Sequence, residues 1–573
     1  MRYSFLLSIL ALAACGRTPM AHLSGSGGDG SGGSGTTVGL PSDDSPGGSG
    51  PFTSGTPGLD STSTSATSPT TSSSESTSTG EPSCADTPDL CTVGISLRRA
   101  VDILFVVDNS GSMGGEQGTL AQNFGAFIDV LEGQQVGANY RIGITTTAGN
   151  GNLRATSCRS RLDEFLFSWQ FGDIDEQQRG CLDNCDLDTI AIAEPWVEKS
   201  SGTTNLPPGV GMAQALQCIG PQGINGPGLE RPLESMRATL LDDTQGFIRD
   251  DAVLAVIFVT DEADCSMDDA DAAWISSSEG MVFWTHPDRA SSGVCWAAGV
   301  TCSGGPGVYD DCVAEDKARS GLPTTDPDDA VLYPVQRYVD VLTDIAEQKQ
   351  LEGGQGEVLV ALLAGVPLDY PTTGQIVYQD SVFDDFNLEY GIGPGCGQGT
   401  ETIQDPPGIP PVRLRQFANA FATDEGNIYS ICDDDYGVAL SQIADAIGEI
   451  NERACISGCV VDGQPETPQL EPDCSLIETF GDGAPNTPVA PCVLVGDSWD
   501  FPAPEVDTCY RALTDVDGST PNVFDDMSTQ CLTVGSNLEF IVERRVGVPI
   551  AAGTSVEVSC QLAAPVGVTC DEL

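Results

Sequence analysis

Short apolar runs alternate with amphipathic stretches through the middle of the chain. Continuous apolar runs at 101–107, 252–259 and 357–363 are typical of strands that are buried on both faces of a sheet. Further strands are predicted at 140–146 and 426–432, and apolar residues at helical spacing predict helices at 117–131, 211–218, 228–241, 333–349, 414–421 and 438–450. Strands that alternate with helices indicate parallel pairing through right-handed crossovers. The pattern therefore predicts an α/β fold with a doubly wound, mostly parallel sheet of the Rossmann type.

The pattern changes after residue 455, where prolines and short β-type runs replace the alternation. Residues 493–495, 538–545 and 555–560 each have the composition of a strand. Eight cysteines lie in this part of the chain and could brace a small domain. We therefore predict a Cys-rich β domain at 455–573, after an α/β domain at 84–454 that carries disulfide-braced insertions.

The first residues have the pattern of a targeting segment. Arg2 is followed by an apolar run at 5–12 that is too short to cross a bilayer. The run ends in Leu-Ala-Ala-Cys, which resembles the signal box of bacterial lipoproteins. That resemblance implies a signal peptide at 1–14, lipid attachment to Cys15, and a place in the bacterial cell envelope, on the outer membrane. The alternative is a soluble secreted protein in which a cysteine happens to follow the cleavage site.

Residues 15–83 are rich in Gly, Ser, Thr and Pro and contain few large apolar side chains. Such a segment cannot bury enough surface to offset the entropy of ordering it, so we predict a disordered tether. No later stretch is long and apolar enough for a transmembrane helix. The sequence therefore predicts a folded head that is held to a membrane only through its lipid.

The formal net charge of −59 limits the possible partners. Phosphates would be repelled, which argues against nucleic acid, and anionic lipid surfaces would be repelled for the same reason. An acidic exterior is compatible with divalent cations and with an extracytoplasmic protein.

The chain has 21 cysteines, and setting Cys15 aside for lipid leaves an even number. Cysteines spread along an exported chain indicate disulfides rather than metal ligands. Close pairs such as Cys181 and Cys185 could suggest zinc, but the protein has only two histidines. The sequence does not determine the pairing; a bond between Cys84 and Cys91 is a guess from their proximity.

The first buried strand ends in a polar turn that carries Asp108, Ser110 and Ser112 at alternate positions. In an open α/β sheet such turns lie at the carboxyl edge, where ligands bind. One carboxylate and two hydroxyls are hard oxygen donors, which suit a small divalent cation such as Mg2+. The sequence thus predicts a cation site at this edge.

This Asp-x-Ser-x-Ser turn resembles the metal-ion-dependent adhesion site of the von Willebrand factor type A family. The later strand at 252–259 leads into Thr260 and Asp261, and is similar to the family's second metal-site strand. The resemblance covers roughly 101–451 and implies a von Willebrand factor A-like domain in a bacterial lipoprotein. It also implies that Asp261 reaches the cation through water. A degenerate site that binds no metal is the alternative.

In that family a threonine in a loop before a helix completes the site. Thr204 is the best match and Thr203 the second choice, while an ordinary helix-capping threonine is the alternative. These ligands would leave one position on the cation for the carboxylate of an extracytoplasmic protein partner. The resemblance therefore implies adhesion through Mg2+, with Ca2+ or Mn2+ as alternative ions.

Two other classes of function compete with adhesion. One is a structural envelope lipoprotein, in which the cation only stabilises loops. The other, a secreted hydrolase, is disfavoured because a Ser-His-Asp triad would depend on His286, the one histidine outside the tether. Carboxylate pairs are numerous in so acidic a chain, and none stands out as a glycosidase pair. We therefore expect a binding protein and not an enzyme.

Two long segments interrupt the alternation of strands and helices. The first, 147–201, contains the acidic run 183–188, which could bind calcium but is more typical of a solvated surface. The second, 262–330, follows Asp261 and is expected to lie over the cation edge. It holds three of the six tryptophans, so it is either a specificity element or a cap of packed aromatic residues.

Overall fold

The structure is a computed structural model. It describes residues 91–97, 100–133, 139–166, 175–200, 202–241, 246–250, 252–351, 358–397, 407–421, 427–456, 459–463, 470–480, 485–495, 498–514, 526–528, 531–532, 536–545 and 555–562. All of these belong to one compact unit, Ser78–Leu573. The predicted signal peptide, Cys15, the tether and Cys84 lie outside the described residues.

Each strand and helix predicted for 101–451 is present, with its ends shifted by a few residues. The strands are β1 (Cys91–Leu97), β2 (Val101–Val107), β3 (Tyr140–Thr146), β4 (Trp196–Ser200), β5 (Thr203–Thr204), β6 (Val253–Val259), β7 (Val300–Gly304), β8 (Tyr309–Ala314), β9 (Val358–Ala364), β10 (Ile428–Ser430), β11 (Arg453–Cys455), β12 (Cys474–Thr479), β13 (Thr487–Pro488), β14 (Ala490–Pro491), β15 (Val493–Val495), β16 (Ser498–Asp500), β17 (Thr508–Leu513), β18 (Glu539–Arg544) and β19 (Ser555–Leu562). The α-helices are α1 (Gly114–Leu131), α2 (Met212–Ile219), α3 (Pro232–Leu241), α4 (Asp269–Ile275), α5 (Gly293–Gly299), α6 (Gln336–Leu351), α7 (Tyr370–Thr373), α8 (Asp384–Tyr390), α9 (Val412–Asn419) and α10 (Gly437–Glu452). Short 3-10 helices lie at Cys158–Phe165 and Ser278–Phe283, and one π turn lies at Gln178–Leu182.

The largest sheet has seven strands in the order β10-β9-β6-β2-β3-β4-β5. Strands β10, β9, β6, β2 and β3 pair in parallel. The register places Val101 opposite both Tyr140 and Val253, so β3, β2 and β6 start and end at the same levels. The turns that follow these three strands therefore meet at one edge.

The central strands are buried on both faces, as their continuous apolar runs predict. Alternate side chains of β2 enter different cores because successive residues of a strand point to opposite sides. Phe105 packs edge-on against Phe124 and Phe127 of α1, with ring centroids 5.4 and 5.5 Å apart. Its neighbour Val106 joins the opposite core, to which α3, α6 and α9 contribute. This packing on both sides holds the carboxyl end of β2 rigidly.

The prediction of a doubly wound, mostly parallel sheet of the von Willebrand factor A type is wrong. The large sheet is mixed, because β4 pairs antiparallel with β3 and β5 pairs antiparallel with β4. Four smaller sheets accompany it, and most of their pairs are antiparallel. After β3 the chain passes through a 3-10 helix and a π turn and then returns antiparallel beside β3 as β4. The poor periodicity of 147–201 concealed this return.

The C-terminal strands form two four-stranded sheets, β1-β19-β12-β13 and β11-β18-β17-β14. The strands predicted at 493–495, 538–545 and 555–560 are all present. Strand β1 pairs antiparallel along its whole length with β19, so a segment from before the large sheet joins the C-terminal β structure. The domain boundaries at 84, 454 and 455 remain predictions.

Disulfides brace the described residues, as the cysteine count predicts. The bonds are Cys158–Cys181, Cys185–Cys218, Cys265–Cys295, Cys302–Cys312, Cys396–Cys432, Cys455–Cys531, Cys474–Cys560 and Cys492–Cys509. The sulfurs of Cys158, Cys181 and Cys185 lie within 4.8 Å of one another, but all three are in disulfides. Zinc binds thiolates, so this cluster is not a zinc site.

None of the helices in the described part of the chain is both long enough and apolar enough to cross a bilayer.

A buried ion pair fixes the start of β2. Asp102 is fully buried, and Arg249 donates to its Oδ1 from Nε at 2.8 Å and from Nη2 at 2.6 Å. We expect Arg249→Ala to lower the free energy of unfolding by about 3–5 kcal/mol, because it leaves a buried carboxylate without its partner. Urea unfolding would measure this change. Arg319→Ala, which breaks a pair whose arginine is 54% exposed, is the control and should cost about 1 kcal/mol or less. Equal losses in both variants would contradict the prediction.

Candidate functional site

The structure brings Asp108, Ser110 and Ser112 together in the turn after β2. Asp108 is fully buried, and its backbone N–H donates to the carbonyl of Val259 at 2.9 Å. Its Oδ1 accepts from the backbone N–H of Ser110 at 2.7 Å. The Oγ atoms of Ser110 and Ser112 are 3.1 Å apart. One carboxylate and two hydroxyls therefore converge, as the motif predicts.

The turn after β6 lies beside this first turn. Val107 and Val259 are paired in parallel register, so Asp108 and Thr260 sit at the same level. The hydroxyl of Thr260 donates to Asp108 Oδ2 in a short hydrogen bond. Asp261, the next residue, is 3% exposed, and its carbonyl accepts from the backbone N–H of Ile409 at 2.7 Å. Asp261 thus joins the predicted cluster, and Thr260 is a partner that the motif did not name.

Thr203 and Thr204 do not join the cluster. Both are exposed in the edge strand β5, where the Thr203 hydroxyl donates to the carbonyl of Ser200 at 2.8 Å. The strand register connects Thr204 through Lys199 and Tyr140 to Val101, at the start of β2. Asp108 lies seven residues further along that strand, or roughly 23 Å at 3.3 Å per residue. The threonine ligand predicted from the family resemblance therefore lies at the opposite end of the sheet.

The threonines were expected to lie beside the turn after β2. The segment 220–231 lies there instead. The backbone N–H of Gly226 donates to the carbonyl of Asn109 at 2.8 Å, and Arg231 N–H donates to the carbonyl of Thr147 at 2.7 Å. A side chain at 226 would not fit, because its Cβ would lie 2.4 Å from Asn109 Oδ1. The buried amide of Gln117 donates to the carbonyls of Asp108 and Gly223, at 2.7 and 2.8 Å. The segment is therefore tied to the turns after both β2 and β3.

This segment places Glu230 at the site, and Glu230 was not predicted from the sequence as a site residue. Glu230 is fully buried, accepts a short hydrogen bond from the Thr147 hydroxyl, and accepts from Cys265 N–H at its own carbonyl, at 2.7 Å. The sequence places it in an amphipathic helix starting at 228, whereas α3 begins at Pro232. Pro232 was the available clue that the helix starts later, because proline favours the first helical position and disfavours helical conformation in the residue before it.

Four buried carboxyl groups share this edge of the sheet. Burial raises the pKa of Asp108. Burial and then the charge of Asp108 raise the pKa of Asp261 and of Glu230 well above the usual range, and raise that of Glu262 to about 8. No lysine or arginine of the described residues is among the main influences on any of the four. A cation bound beside these carboxyl groups would therefore favour their charged forms.

Several oxygen acceptors at this edge also lack hydrogen-bond donors. Asn109 Oδ1, Glu230 Oε1 and Asp261 Oδ1 are buried and have no hydrogen-bond partner among the described residues. Buried acceptors are normally satisfied, and a metal ion can satisfy them. Apart from the disulfide sulfurs, no three acidic, histidine or cysteine ligand atoms in the described chain lie within 4.8 Å of one another. The donors present therefore fit a cation held by hydroxyls, water and at most two carboxylates.

The insertion predicted at 262–330 reaches this site. Ser292, just before α5, donates from its hydroxyl to the carbonyl of Gly228, in the segment that carries Glu230, at 3.3 Å. Glu389 of α8 raises the pKa of Glu262 through its charge and pairs with Arg289. Two tryptophans of the insertion are partly buried in a small core of their own around Phe283. The insertion is thus a packed cap that also contacts the acidic cluster.

A polar cleft opens beside the same edge. Its volume is about 440 Å3, and its walls come from the first turns of α1, the π turn and the segment after β10. Acidic side chains dominate the charge of the lining, which includes Glu116, Asp183, Asp433 and Asp434 with Arg179 as the basic residue. Asp183, Asp186 and Asp188 of the acidic run are exposed, as a solvated surface predicts.

No known family model matches the chain, and no curated protein matches it. Two solved structures match weakly. One is the pilus adhesin SpaC from Lactobacillus rhamnosus GG in its open conformation, at 12% identity and a TM-score of 0.27, with 83% of this chain and 41% of SpaC covered. The other comprises three N-terminal domains of the type V pili tip protein Mfa5 from Porphyromonas gingivalis, at 11% identity and a TM-score of 0.22, with 84% and 65% covered. The chain spans less than two thirds of either structure, and likeness at this level carries no functional argument. Membership of the von Willebrand factor type A family remains a prediction.

Proposed function

We propose that this protein is an adhesive binding protein of the bacterial cell envelope, which engages an acidic group of a partner protein through a divalent cation. Asp108, Ser110 and Ser112 would hold the cation directly, and Asp261 would hold it through water. Mg2+ fits this set best, because it prefers oxygen ligands and keeps several of its waters. Cys15 would carry the lipid anchor.

The observation that carries this proposal is the set of buried oxygens without donors. Asp261 Oδ1 and Glu230 Oε1 are buried without a hydrogen-bond partner among the described residues, and the carboxyl groups of Asp108 and Glu262 at the same edge are also buried. An isolated buried carboxylate is strongly destabilising, so such groups either stay protonated or bind a metal. A cation at Asp108 would satisfy both the charges and the open acceptors.

The residues proposed to hold the cation favour a metal that can exchange one of its ligands with a partner over a metal whose coordination is permanently complete. Ser110 and Ser112 contribute neutral hydroxyls, which leave more positive charge on the metal than carboxylates would. A cation so held attracts a carboxylate from a partner. The adjacent cleft of about 440 Å3 leaves room for the part of the partner that surrounds this carboxylate. These features favour binding over catalysis.

A capture experiment tests this function. The purified head, immobilised and incubated with extracellular and envelope proteins, should retain a partner in Mg2+ and release it when chelator is added. We expect Asp108→Ala to capture nothing in Mg2+ while remaining folded by circular dichroism. A chelator-resistant complex, or unchanged capture by the folded variant, would contradict the adhesive function. Loss of folding in chelator without any captured partner would instead support the structural envelope role.

A further inference from the structure

A second cavity lies between the two four-stranded sheets of the C-terminal β structure, and none of the proposed cation ligands lines it. Its volume is about 260 Å3. One sheet contributes Cys474 of β12, and the other contributes Pro491 of β14, Tyr510 of β17 and Phe540 of β18. Trp499 of β16 completes the wall. Three of these residues are aromatic, which is typical of a pocket that binds a ligand.

The three aromatic rings are held in place by the surrounding backbone. The rings of Tyr510 and Phe540 pack edge-on, with centroids 5.5 Å apart. Trp499 belongs to the hairpin of β15 and β16, which begins directly after Cys492. Cys492 is bonded to Cys509 of β17 through a disulfide, and its backbone N–H donates to the carbonyl of Tyr510 at 2.8 Å. The rings therefore need little ordering when a ligand binds, which favours affinity.

The wall of this cavity carries a hydrogen-bond donor that has no acceptor. Trp499 Nε1 is buried and has no hydrogen-bond partner among the residues that the structure describes. A buried indole N–H is normally hydrogen-bonded, and it can only donate. The hydroxyl of Tyr510 can both donate and accept. A ligand that fits this cavity therefore carries an oxygen acceptor beside an apolar surface.

The charge of the wall is compensated within the protein. Among the described residues that border the cavity, only Arg511 is charged, and its Nη2 pairs with Glu543 Oε1 at 2.6 Å. The pKa of Tyr510 is raised by burial alone, so no charged group acts on its hydroxyl. These surroundings favour a neutral ligand, because a charged one would lose its hydration without gaining a partner.

We propose that this cavity binds a neutral pyranose ring of a glycan. The C–H face of the sugar packs on the aromatic rings, one ring hydroxyl accepts from Trp499 Nε1, and another pairs with the hydroxyl of Tyr510. At about 260 Å3 the cavity is smaller than the roughly 300–1,000 Å3 of sites for drug-sized ligands, so it accommodates one ring. The cation takes no part in this binding, so the inference goes beyond the proposed function and stands without it.

A proline-rich segment is the competing ligand. Prolines also pack on aromatic rings, in grooves that such segments fill. These segments are extended, at about 3.1 Å per residue, and bind along grooves several residues long. A single compact cavity fits one sugar ring better. A sugar hydroxyl also uses both the donor and the acceptor of the Tyr510 hydroxyl, whereas a prolyl residue has no N–H to donate.

The indole resonances of the tryptophans test this inference in the full chain. The chain has six tryptophans, and 15N labelling gives a signal for each indole N–H. Methyl glycosides of glucose, galactose and mannose, added in the presence of chelator, should shift the signal that is missing in Trp499→Phe. We expect a dissociation constant of about 1 mM for a ligand of this size.

Trp499→Phe keeps an aromatic ring but loses the donor. It should weaken sugar binding about threefold to tenfold, as measured by saturation-transfer NMR. Tyr510→Phe, which removes only the hydroxyl, should give a loss of similar size and serves as the second variant if Trp499→Phe does not fold.

Trp284→Phe is the matched control, because Trp284 Nε1 already donates to the carbonyl of Ile275 at 2.7 Å. Its sugar affinity should be unchanged, and a loss equal to that of Trp499→Phe overturns the inference. Absence of a shift with all three sugars far above the expected dissociation constant also overturns it, as does a shift with a tetraproline peptide alone. Because every titration contains chelator, these results are independent of the capture experiment that tests the cation.

Discussion

Asp108→Asn is expected to weaken Mg2+ binding by more than the roughly 10–100-fold that loss of an outer-shell partner costs. The amide keeps the size of the side chain and an oxygen that can accept from Ser110 N–H, but it removes the charge that attracts the cation. Because Asp108 is fully buried and no basic side chain balances it, the metal-free variant should be at least as stable as the unaltered protein. Isothermal titration with Mg2+ measures the first effect, and thermal unfolding in chelator measures the second.

Thr204→Ala is the matched control for this substitution. The family resemblance makes Thr204 a ligand, whereas the strand register places it at the other end of the sheet. We therefore expect its Mg2+ affinity to be unchanged. A loss in Thr204→Ala as large as that in Asp108→Asn would mean that the cation does not bind at the turn after β2.

Without metal, the protein is expected to lose stability as the pH rises from about 5 to about 8. The pKa of Glu262 is raised to about 8 by burial and then by the charge of Asp108, and burial also raises the pKa of Asp108, Asp261 and Glu230. The folded state therefore binds more protons than the unfolded state above the ordinary carboxyl pKa. Stability then falls with pH through this window, by at most about 1.4 kcal/mol per pH unit for each such group.

Thermal unfolding in chelator at a series of pH values checks this slope. Added Mg2+ should raise the unfolding temperature most at pH 8, because the cation replaces the protons that the acids have lost. Glu262→Gln should flatten the slope in chelator, since it removes one of the titrating groups. A stability that rises between pH 5 and 8 without metal would show that the cluster is neutralised in another way.

The apolar pattern was enough to predict the five parallel strands of the large sheet, but not its edge strands β4 and β5. Residues 101–107 and 252–259 are continuous apolar runs, and both form strands buried on both faces. The alternation of polar and small residues after the first run also located Asp108, Ser110 and Ser112 correctly in one turn. Local patterns are reliable here because each strand is determined mainly by its own residues and by burial.

The direction of the edge strands and the contacts between distant segments could not be predicted from the sequence. The return of Trp196–Ser200 beside β3 is antiparallel, although nothing in its short apolar content distinguishes an edge strand from a loop. Thr204 matched a motif in sequence, but pairing in β5 carries it away from Asp108. A motif residue on a separate segment is placed by the whole fold, so its position cannot be derived from spacing alone.

By itself, the sequence determined the buried strands, the helices between them, the disulfide bracing and the turn of oxygen donors after β2, because each depends on residues close together in the chain. Only the tertiary structure decided that Glu230 and Glu262 lie beside Asp108 and that Thr204 does not. Those placements depend on hydrogen bonds between segments more than a hundred residues apart, such as Gln117 with Gly223 and Thr260 with Asp108. Long-range contacts of this kind form only once the strands have paired in register.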